Sequence, residues 1–556
     1  MEKKHRVLVK LRTSNALRAV DSSRNLRPLY TPTVESAFGL TGAPRWYVAD
    51  LQEDQATPWD TAHARLADRL GISASDVVFA EPDVENHIFP DRAASPAEGL
   101  FAVGVQCDKE IPKDRGHGKP PGPDQFAWHL GKEFSELQLA REAVLFKTPR
   151  TRIAHIDTGY YKAHQTTPEH IVHELERNFV DGDGNPNNAE DPDNRVLILD
   201  NSGHGTGTIG ILAGGRVRKE GDMFLGGAPE AEVVPLRIAD SVALFRTSAL
   251  AEAIRYATAQ KCDVVTLSMG GLPSRAWTEA VNEAYLAGVC MVAAAGNNVN
   301  GLPTRHVVYP ARYRRVLAVC GAMANGKPYT KLEGLVLEGN FGPSRSMTVA
   351  IASYTPNIPW PVFGCPELLR LNGEGTSAAT PQVAAAAALW FEKYKGELPR
   401  NWQRVEAVRN ALFRSAKKAD PEHFGHGILQ ARKALEITPV FGLPQSPEDK
   451  DSFPFLRVIT GLGITEPTTR EQMFNLELAQ LWMINKDLQK IAPDPDAVAT
   501  LSKPDLKRFM DAVIEEKTTS TALRRHIEGR YPAAAGAPVP RVPPKEKDAV
   551  FDTRTG

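Results

Sequence analysis

Three residues with the chemistry of a nucleophilic hydrolase stand far apart in the sequence, each in a segment that contains glycine. Asp157 opens Asp-Thr-Gly, His204 lies inside Gly-His-Gly-Thr, and Ser377 lies inside Gly-Thr-Ser-Ala-Ala-Thr-Pro. A serine hydroxyl is a weak nucleophile at neutral pH, so it needs an imidazole to take its proton and a carboxylate to orient that imidazole. The three residue types, in the order Asp, His, Ser, therefore predict a serine hydrolase with these residues as its catalytic triad.

The surrounding segments predict the elements that would position these residues. Residues 151–156 form an apolar run suited to a buried parallel strand, which would deliver Asp157 at its carboxyl end, where open α/β sheets carry their sites. A helix is predicted over 206–212, just after His204, and an alanine-rich helix over 378–394, just after Ser377. Pro381 would fall in the first turn of that helix, where its missing N–H is tolerated.

Two further strands predict groups that would bind substrate. The apolar run 290–295 ends in Gly-Asn, and we assign the Asn297 amide and the Ser377 backbone N–H as donors to the oxyanion. The run 262–267 ends in Ser268-Met269-Gly270. Because Gly270 has no side chain to block an extended peptide, we expect these three residues to bind substrate by backbone pairing.

Six segments in the correct order carry a family resemblance. Besides the triad segments they are Ser-Met-Gly-Gly at 268–271, Ala-Ala-Ala-Gly-Asn at 293–297 and Tyr-Pro-Ala-Arg-Tyr at 309–313. Over residues 126–437 the sequence resembles the subtilases, the subtilisin-like serine peptidases. The resemblance implies a three-layer α/β fold with a mostly parallel sheet, and a serine endopeptidase that works through an acyl-enzyme. Two positions depart from the family pattern, which often has Met at Ala378 and a second His at Gly207.

Four other histidines lie near Asp157 in the sequence, and none of them is expected to be the base. We expect His155, two residues before Asp157, to point to the opposite face of the strand and to be a packing residue. His164, His170 and His173 lack the glycine setting of His204. They are expected to be surface residues.

Composition excludes several kinds of partner. The chain has 556 residues, 42% of them hydrophobic, with a formal net charge of −1. It has no run of Lys and Arg with interleaved aromatic residues, so we expect no nucleic-acid partner. No apolar stretch reaches signal-peptide or membrane-spanning length, which predicts a cytoplasmic protein with no membrane partner. The cysteines are expected to be small buried core residues rather than a disulfide framework, namely Cys107, Cys262, Cys290, Cys320 and Cys365.

The first part of the chain predicts a domain that controls the peptidase. Residues 5–11 and 77–85 have strand patterns, and residues 61–70 have the pattern of an amphipathic helix. Residues 1–92 resemble the propeptide of subtilases, a small α+β domain that fills the substrate groove, which implies a zymogen. An unrelated α+β module is the alternative. A linker rich in Pro and Gly is predicted over 93–125.

One loop contains residue types that can bind a metal ion. Residues 179–191 hold a dense set of Asp and Asn side chains on turn-forming chain, and Ca²⁺ prefers six to eight oxygen ligands. A solvated turn explains the same composition. We therefore predict no required cofactor and do not favour calcium.

Past residue 437 the family resemblance stops. Helical patterns at 470–491 and 503–530 predict a helical appendage over 438–530, either a docking site for a regulatory protein or a cap without a function of its own. The tail 531–556 has the composition of a disordered segment. The sequence thus predicts a serine endopeptidase acting on proteins or peptides under control of its N-terminal domain. The alternative is a scaffold or binding module with a permanently occluded protease fold.

Overall fold

The structure is a computed structural model. It describes residues 4–12, 26–31, 34, 43–52, 57–64, 66–87, 107, 126–180, 182, 184–192, 203–242, 244–332, 337–451, 468–493 and 501–530. Apart from Cys107, the predicted linker lies outside the described residues, as does the predicted tail.

Strands run through the N-terminal domain, residues 1–92, and the peptidase region, residues 126–437. They are β1 (Lys4–Leu11), β2 (Leu26–Pro28), β3 (Arg45–Gln52), β4 (Val77–Pro82), β5 (Glu85–His87), β6 (Arg152–Asp157), β7 (Arg177–Asn178), β8 (Arg216–Val217), β9 (Met223–Phe224), β10 (Glu232–Arg237), β11 (Ala239–Ser241), β12 (Leu244–Arg246), β13 (Val264–Leu267), β14 (Cys290–Ala294), β15 (Asn297–Asn298), β16 (Val316–Ala322), β17 (Glu338–Gly339), β18 (Ala350–Tyr354), β19 (Ile358–Pro361) and β20 (Leu369–Gly373).

Helices continue past the peptidase region. They are α1 (Pro58–His63), α2 (Leu66–Leu70), α3 (Leu137–Glu142), α4 (His204–Ala213), α5 (Thr247–Ala259), α6 (Arg275–Leu286), α7 (Ser344–Met347), α8 (Gly375–Lys393), α9 (Trp402–Ser415), α10 (Pro421–Phe424), α11 (Ala431–Ala434), α12 (Thr469–Ile484), α13 (Lys486–Ile491), α14 (Lys503–Glu515) and α15 (Thr521–Arg530). Short 3-10 turns occur at Ala74–Asp76, Trp128–Leu130, His173–Leu175 and Arg218–Glu220.

A seven-stranded parallel sheet forms the centre of the peptidase region, in the order β18-β16-β14-β13-β6-β10-β7. Apart from the edge strand β7, its strands are almost wholly buried, and most of their residues are apolar. Ile153 and Val264 pack with α8 on one face, whereas Ala154 and Val265 pack with α5 and α6 on the other. The predicted three-layer α/β fold with a mostly parallel sheet is confirmed.

The helix that carries Ser377 begins earlier than predicted. It starts at Gly375, so Pro381 lies inside the helix rather than in its first turn. A proline inside a helix cannot donate to the carbonyl four residues before it. That carbonyl belongs to Ser377, so the helix leaves it in need of another donor.

The N-terminal domain is built on a separate antiparallel sheet in the order β2-β3-β1-β4. Two short helices, α1 and α2, stand where one helix was predicted, and the last predicted strand is divided into β4 and β5. β5 leaves this sheet and pairs with β12 of the peptidase region. The N-terminal domain is therefore joined to the peptidase region by main-chain hydrogen bonds as well as by side chains.

The C-terminal helices, α12 to α15, also differ in number from the prediction, because each predicted helix is interrupted. Asn485 is extended and its side chain accepts hydrogen bonds from the N–H groups of Asp487 and Leu488, which starts α13. The Ser520 hydroxyl accepts from the N–H of Leu523 and starts α15. Capping side chains of this kind favour a new helix start over continuation.

The cysteines divide into two groups. Cys262, Cys290 and Cys320 are free and buried, as predicted, and burial raises the pKa of each thiol to about 12. Cys107 and Cys365 form a disulfide, so the prediction was wrong for this pair. They are 258 residues apart, and sequence spacing carries no sign of that contact. Disulfides are rare in the cytosol. The cytoplasmic location stays a prediction, and this pair weighs against it.

Candidate active site

Asp157 is the last residue of β6, at the carboxyl end of a central strand, where the sequence predicted it. Its side chain is buried, and its Oδ1 accepts a hydrogen bond from the Thr158 N–H at 2.8 Å. The chain then turns at Gly159, whose φ of 109° favours glycine. The carboxylate is thus held by the backbone that follows it.

His204 is the first residue of α4, so the helix begins at the imidazole rather than after it. Its Nδ1 lies 2.7 Å from Asp157 Oδ1. A Cβ at residue 205 would lie 1.9 Å from the Gly159 carbonyl oxygen, so only glycine lets the helix start this close to β6. The two segments that carry the predicted acid and base are therefore brought together by glycine.

A hydrogen-bonded chain extends behind Asp157 to a second histidine. Thr208 donates from Oγ1 to Asp157 Oδ2 at 3.0 Å, and His155 Nε2 lies 2.8 Å from the same Oγ1. Because the single hydroxyl proton goes to the carboxylate, His155 donates from Nε2. Burial lowers the pKa of His155 to about 4, so it is neutral at pH 7.

The predicted orientation of His155 was wrong. Side chains two residues apart on a strand share a face, so His155 lies on the same side as Asp157, with Nε2 3.9 Å from Oδ2. Burial raises the pKa of Asp157, but the charge and hydrogen bond of His204 outweigh it and hold that pKa below its ordinary value. Asp157 is therefore the ionised member of this group.

Ser377 lies in the first turn of α8 and is held to Ser268 by two reciprocal hydrogen bonds. Ser377 Oγ donates to the Ser268 carbonyl, and Ser268 Oγ donates to the Ser377 carbonyl, both at 3.1 Å. The second bond satisfies the carbonyl that Pro381 leaves without a helical partner. Among the described residues no hydrogen bond joins Ser377 to His204. The Ser377 hydroxyl proton is therefore directed to the Ser268 carbonyl in this structure.

Asn297 follows β14 and is fixed by the residue before Ser377. Its Oδ1 accepts from the Thr376 N–H at 2.8 Å and from the Thr376 hydroxyl at 3.2 Å. Since a backbone N–H can only donate, the facing side-chain atom must be the oxygen. The Nδ2 group is then the end available to donate to a substrate oxygen.

In the segment predicted to bind substrate, residues 268–270, each residue makes a different local contact. Ser268 anchors Ser377, and the Met269 side chain is buried in the core. At Gly270 an added Cβ would lie 2.4 Å from Val308 Cγ2. Glycine is therefore required there by packing against Val308, whereas the prediction explained it by the space needed for substrate. Substrate binding by these residues stays a prediction.

Sequence reasoning missed the strand that meets the N-terminal domain. β12 pairs with β11 on one side and with β5 on the other, antiparallel, with Phe245 opposite Asn86. Strands of three residues carry too few positions for a periodic signal. The contact also joins segments more than a hundred residues apart in sequence.

The other three histidines differ in exposure, and the acidic loop is described except at two positions. His164 is buried, with Nε2 3.0 Å from the Leu368 carbonyl oxygen, so the prediction of a surface position was wrong for it. His173 is exposed and His170 is partly exposed, in agreement with the surface positions predicted for them. In the loop 179–191, Asp181 and Asp183 lie outside the described residues. Asn185 and Asn188 there accept hydrogen bonds from nearby backbone N–H groups, as in solvated turns.

One group of potential metal ligands lies elsewhere in the described residues. Asp420, Glu422 and His423 could offer ligand atoms within 4.8 Å of one another. Asp420, however, caps α10 and hydrogen-bonds to His423 Nδ1 at 2.7 Å. These contacts explain the cluster without an ion. No helix in the described part of the chain is long and apolar enough to cross a bilayer.

Asp157 and Asn297 lie at the carboxyl ends of strands in a parallel sheet, and His204 and Ser377 lie in the first turns of two helices. This arrangement defines a class of protein, the serine hydrolases of α/β fold. Comparison with known proteins identifies the family. Residues 149–427 match the Subtilase family. Subtilisin DY of Bacillus licheniformis is 28% identical over 293 residues, which are 52% of this chain and 93% of that protein. Thermitase of Thermoactinomyces vulgaris is 30% identical over 288 residues, 51% of this chain and 88% of that protein.

A solved structure has the same fold. The crystal structure of fervidolysin from Fervidobacterium pennivorans, a keratinolytic enzyme related to subtilisin, aligns with a TM-score of 0.51 and 19% identity. The alignment covers 79% of this chain and 62% of that one. This chain belongs to the subtilase family and is a subtilisin-like serine endopeptidase.

Proposed function

We propose that the chain hydrolyses peptide bonds in proteins or peptides with Asp157, His204 and Ser377 as its triad. The 2.7 Å hydrogen bond between His204 Nδ1 and Asp157 Oδ1 carries this proposal. It holds the imidazole in the tautomer that leaves Nε2 free to accept a proton. Ser377 gives its proton to Nε2 as Oγ attacks the peptide carbonyl, and the leaving amine takes that proton back.

Asp157 then stabilises the imidazolium and stays ionised throughout. Its lowered pKa supports this role, as does the Thr208 hydroxyl that donates to its second oxygen. Water hydrolyses the acyl-enzyme with His204 again as the base. A serine-directed fluorophosphonate is the direct test, because it reacts with an activated serine and needs no knowledge of the natural substrate.

Asn297 supplies a measurable part of this mechanism. We expect Asn297→Ala to lower kcat by about 10²–10³-fold with little change in KM, because the Nδ2 donor acts on charge that develops only in the transition state. Steady-state hydrolysis of a peptide substrate measures both constants. Asn297→Asp is the matched variant, since it keeps an acceptor for Thr376 and removes the donor. Full activity in both variants would exclude Asn297 from the oxyanion site.

The N-terminal domain, we propose, controls access to this site. Glu81 is fully buried and accepts hydrogen bonds from the Ser274 hydroxyl and the N–H groups of Arg275 and Ala276, at 2.9 to 3.1 Å. These groups lie at the start of α6. Side-chain oxygens placed there accept from N–H groups that have no partner within the helix.

Asp83 makes an equivalent contact with α5. Its two oxygens accept from the Ser248 N–H and the Ser248 hydroxyl, both at 2.8 Å. Two residues later β5 occupies the edge of β12. An extended substrate peptide cannot pair with that edge while β5 is there, which supports control by occlusion and a zymogen role.

Docking of the N-terminal domain is expected to weaken with rising pH. Burial raises the pKa of Glu81 from 4.5 to about 8, although its hydrogen-bond donors act in the opposite direction. Burial also raises the pKa of Asp83. Because the docked state keeps a proton that an undocked Glu81 would lose above 4.5, docking is strongest below that pH and weakens toward pH 8.

Amide hydrogen exchange of β4 in the Ser377→Ala protein measures this dependence. After correction for intrinsic exchange rates, protection should be lower at pH 8 than at pH 5. Glu81→Gln is the control and should reduce the difference, since the amide does not titrate. Equal protection at both pH values in the unaltered N-terminal domain would contradict the expectation.

A second candidate function, the permanently occluded scaffold, is favoured by the C-terminal helices. Gln480 of α12 accepts a hydrogen bond from Trp59 Nε1 in the N-terminal domain and donates to the Pro273 carbonyl of the peptidase region, both at 2.9 Å. Glu477 of the same helix lies 3.0 Å from His63 Nε2. These contacts would hold the N-terminal domain in place even after a cut in the linker.

Intact mass measured with fluorophosphonate labelling separates the two functions. A chain that labels and trims its own N-terminal region is a self-processing endopeptidase. A chain that neither labels nor trims, and in which Ser377→Ala changes nothing, supports the scaffold.

We propose no required cofactor, and calcium is not favoured. A cytoplasmic location and a regulatory partner on the C-terminal helices stay predictions.

A further inference from the structure

The hairpin formed by β19 and β20 lies along α4, the helix that begins with His204. Three glycines at 203, 207 and 210 form one stripe of this helix region, spaced by four and three residues. An added Cβ at these positions would lie 2.1 Å from Phe363 Cβ, 1.8 Å from Trp360 Cε2 and 2.5 Å from Pro361 Cγ, respectively. The hairpin thus occupies the space that side chains on this stripe would need.

Trp360 is the hairpin residue that contacts the imidazole. Its ring centroid lies 5.6 Å from that of His204, with the planes inclined by 60°. Gly207 is three residues after His204, so the two positions lie on the same side of the helix. The departure from the family pattern at Gly207 therefore has a structural explanation, since the indole ring fills this position.

The indole ring is itself fixed in a narrow slot. On one side is Gly207, and on the other is Gly373, where an added Cβ would lie 2.8 Å from Trp360 Cε3. The loop after Trp360 is also anchored, because His164 Nε2 lies 3.0 Å from the Leu368 carbonyl and the Gln165 N–H donates to the Pro366 carbonyl at 2.7 Å. A ring held in this way gives the imidazole a rigid wall.

We propose that Trp360 is a positioning residue for His204, an inference that rests on the proposed role of His204 as the base. Among the described residues, the hydrogen-bond partner of the His204 side chain is Asp157, which is bonded to Nδ1. One hydrogen bond at Nδ1 does not prevent the imidazole from rotating about its side-chain bonds. The indole wall restricts this rotation and keeps Nε2 directed toward Ser377. Misplacement of a catalytic group by about 1 Å can cost about 10²-fold in rate.

The rate of fluorophosphonate labelling tests this proposal, and peptide hydrolysis adds a comparison of kcat with KM. Trp360→Ala should lower the labelling rate and kcat by about 10- to 100-fold and leave KM within about threefold. Trp360→Phe keeps an aromatic wall and should recover most of the rate. Trp402→Ala is the matched control, because Trp402 is also half-buried but starts α9, which packs on α8, α6 and α11.

A double-mutant cycle with Gly207 gives a second readout that does not depend on Trp360→Ala alone. Gly207→Ala places a methyl group against the indole ring and should slow labelling, whereas adding it to Trp360→Ala should cause little further loss. Independent losses in the cycle, or an unchanged labelling rate in Trp360→Ala, would overturn the proposal. If wild type itself failed to label while Ser377→Ala behaved identically, the proposed function would fail instead.

Discussion

Ser377→Ala is expected to abolish labelling by a fluorophosphonate and to lower peptide hydrolysis by about 10⁶-fold, the size found when the nucleophile of a related triad is removed. The reason is that Oγ forms the bond to the substrate carbonyl, and no neighbouring group replaces it. The thermal unfolding temperature should stay close to that of wild type, since within the described part of the chain the Ser377 hydroxyl donates one hydrogen bond, to the Ser268 carbonyl.

Ser268→Ala is the matched control for this substitution. Ser268 holds the nearby hydroxyl that is bonded to the Ser377 backbone, so it is the alternative nucleophile to exclude. We expect it to retain labelling within about tenfold, because a neutral hydrogen bond contributes about 1 kcal/mol. Labelling that survived in Ser377→Ala and vanished in Ser268→Ala would reverse the assignment.

Glu477→Ala is expected to lower the free energy of unfolding by about 3–5 kcal/mol, the cost of removing one partner from a buried, hydrogen-bonded charge. The Glu477 carboxylate is fully buried and accepts hydrogen bonds from the Ser520 N–H and hydroxyl at 2.7 and 2.9 Å, and it pairs with His63. Its loss leaves donors of α1 and α15 without an acceptor. Urea unfolding in the Ser377→Ala background measures the change without self-cleavage.

Asp511→Ala is the control on the same group of helices. Asp511 pairs with Lys507 on an exposed face of α14, and exposed pairs of this kind contribute about 0.3–0.5 kcal/mol. We therefore expect a change in unfolding free energy several times smaller than for Glu477→Ala. Equal effects of the two substitutions would contradict a stabilising role for the buried contacts of Glu477.

The parts of the site that the sequence predicted are those encoded locally. Asp157 was placed by an apolar strand that ends at it, and His204 by the glycines on either side. Asn297 and Ser377 were found in the same way, from a strand end and a helix start. The strands and helices that position these four residues formed where they were predicted, with bounds shifted by a few residues.

What the sequence did not predict depends on contacts between distant segments. Trp360 meets Gly207 across more than 150 residues of chain, and Gln480 joins α1 to the peptidase region. Neither contact leaves a periodic pattern, because each partner is a single side chain on its own element. The wrong orientation predicted for His155 has a different cause. Residues two apart on a strand lie on the same face, whereas the prediction placed His155 on the face opposite Asp157.

The disulfide between Cys107 and Cys365 gives the position of a cut in the linker an unexpected importance. A cut before Cys107 leaves the N-terminal domain attached by non-covalent contacts alone, and dilution can separate the fragments. A cut after Cys107 produces two polypeptides that remain one covalent molecule, through a bond to the loop whose Phe363 packs on Gly203, the residue before His204. In that case the N-terminal fragment acts as a tethered ligand at high effective concentration, and its complete departure requires a reductant.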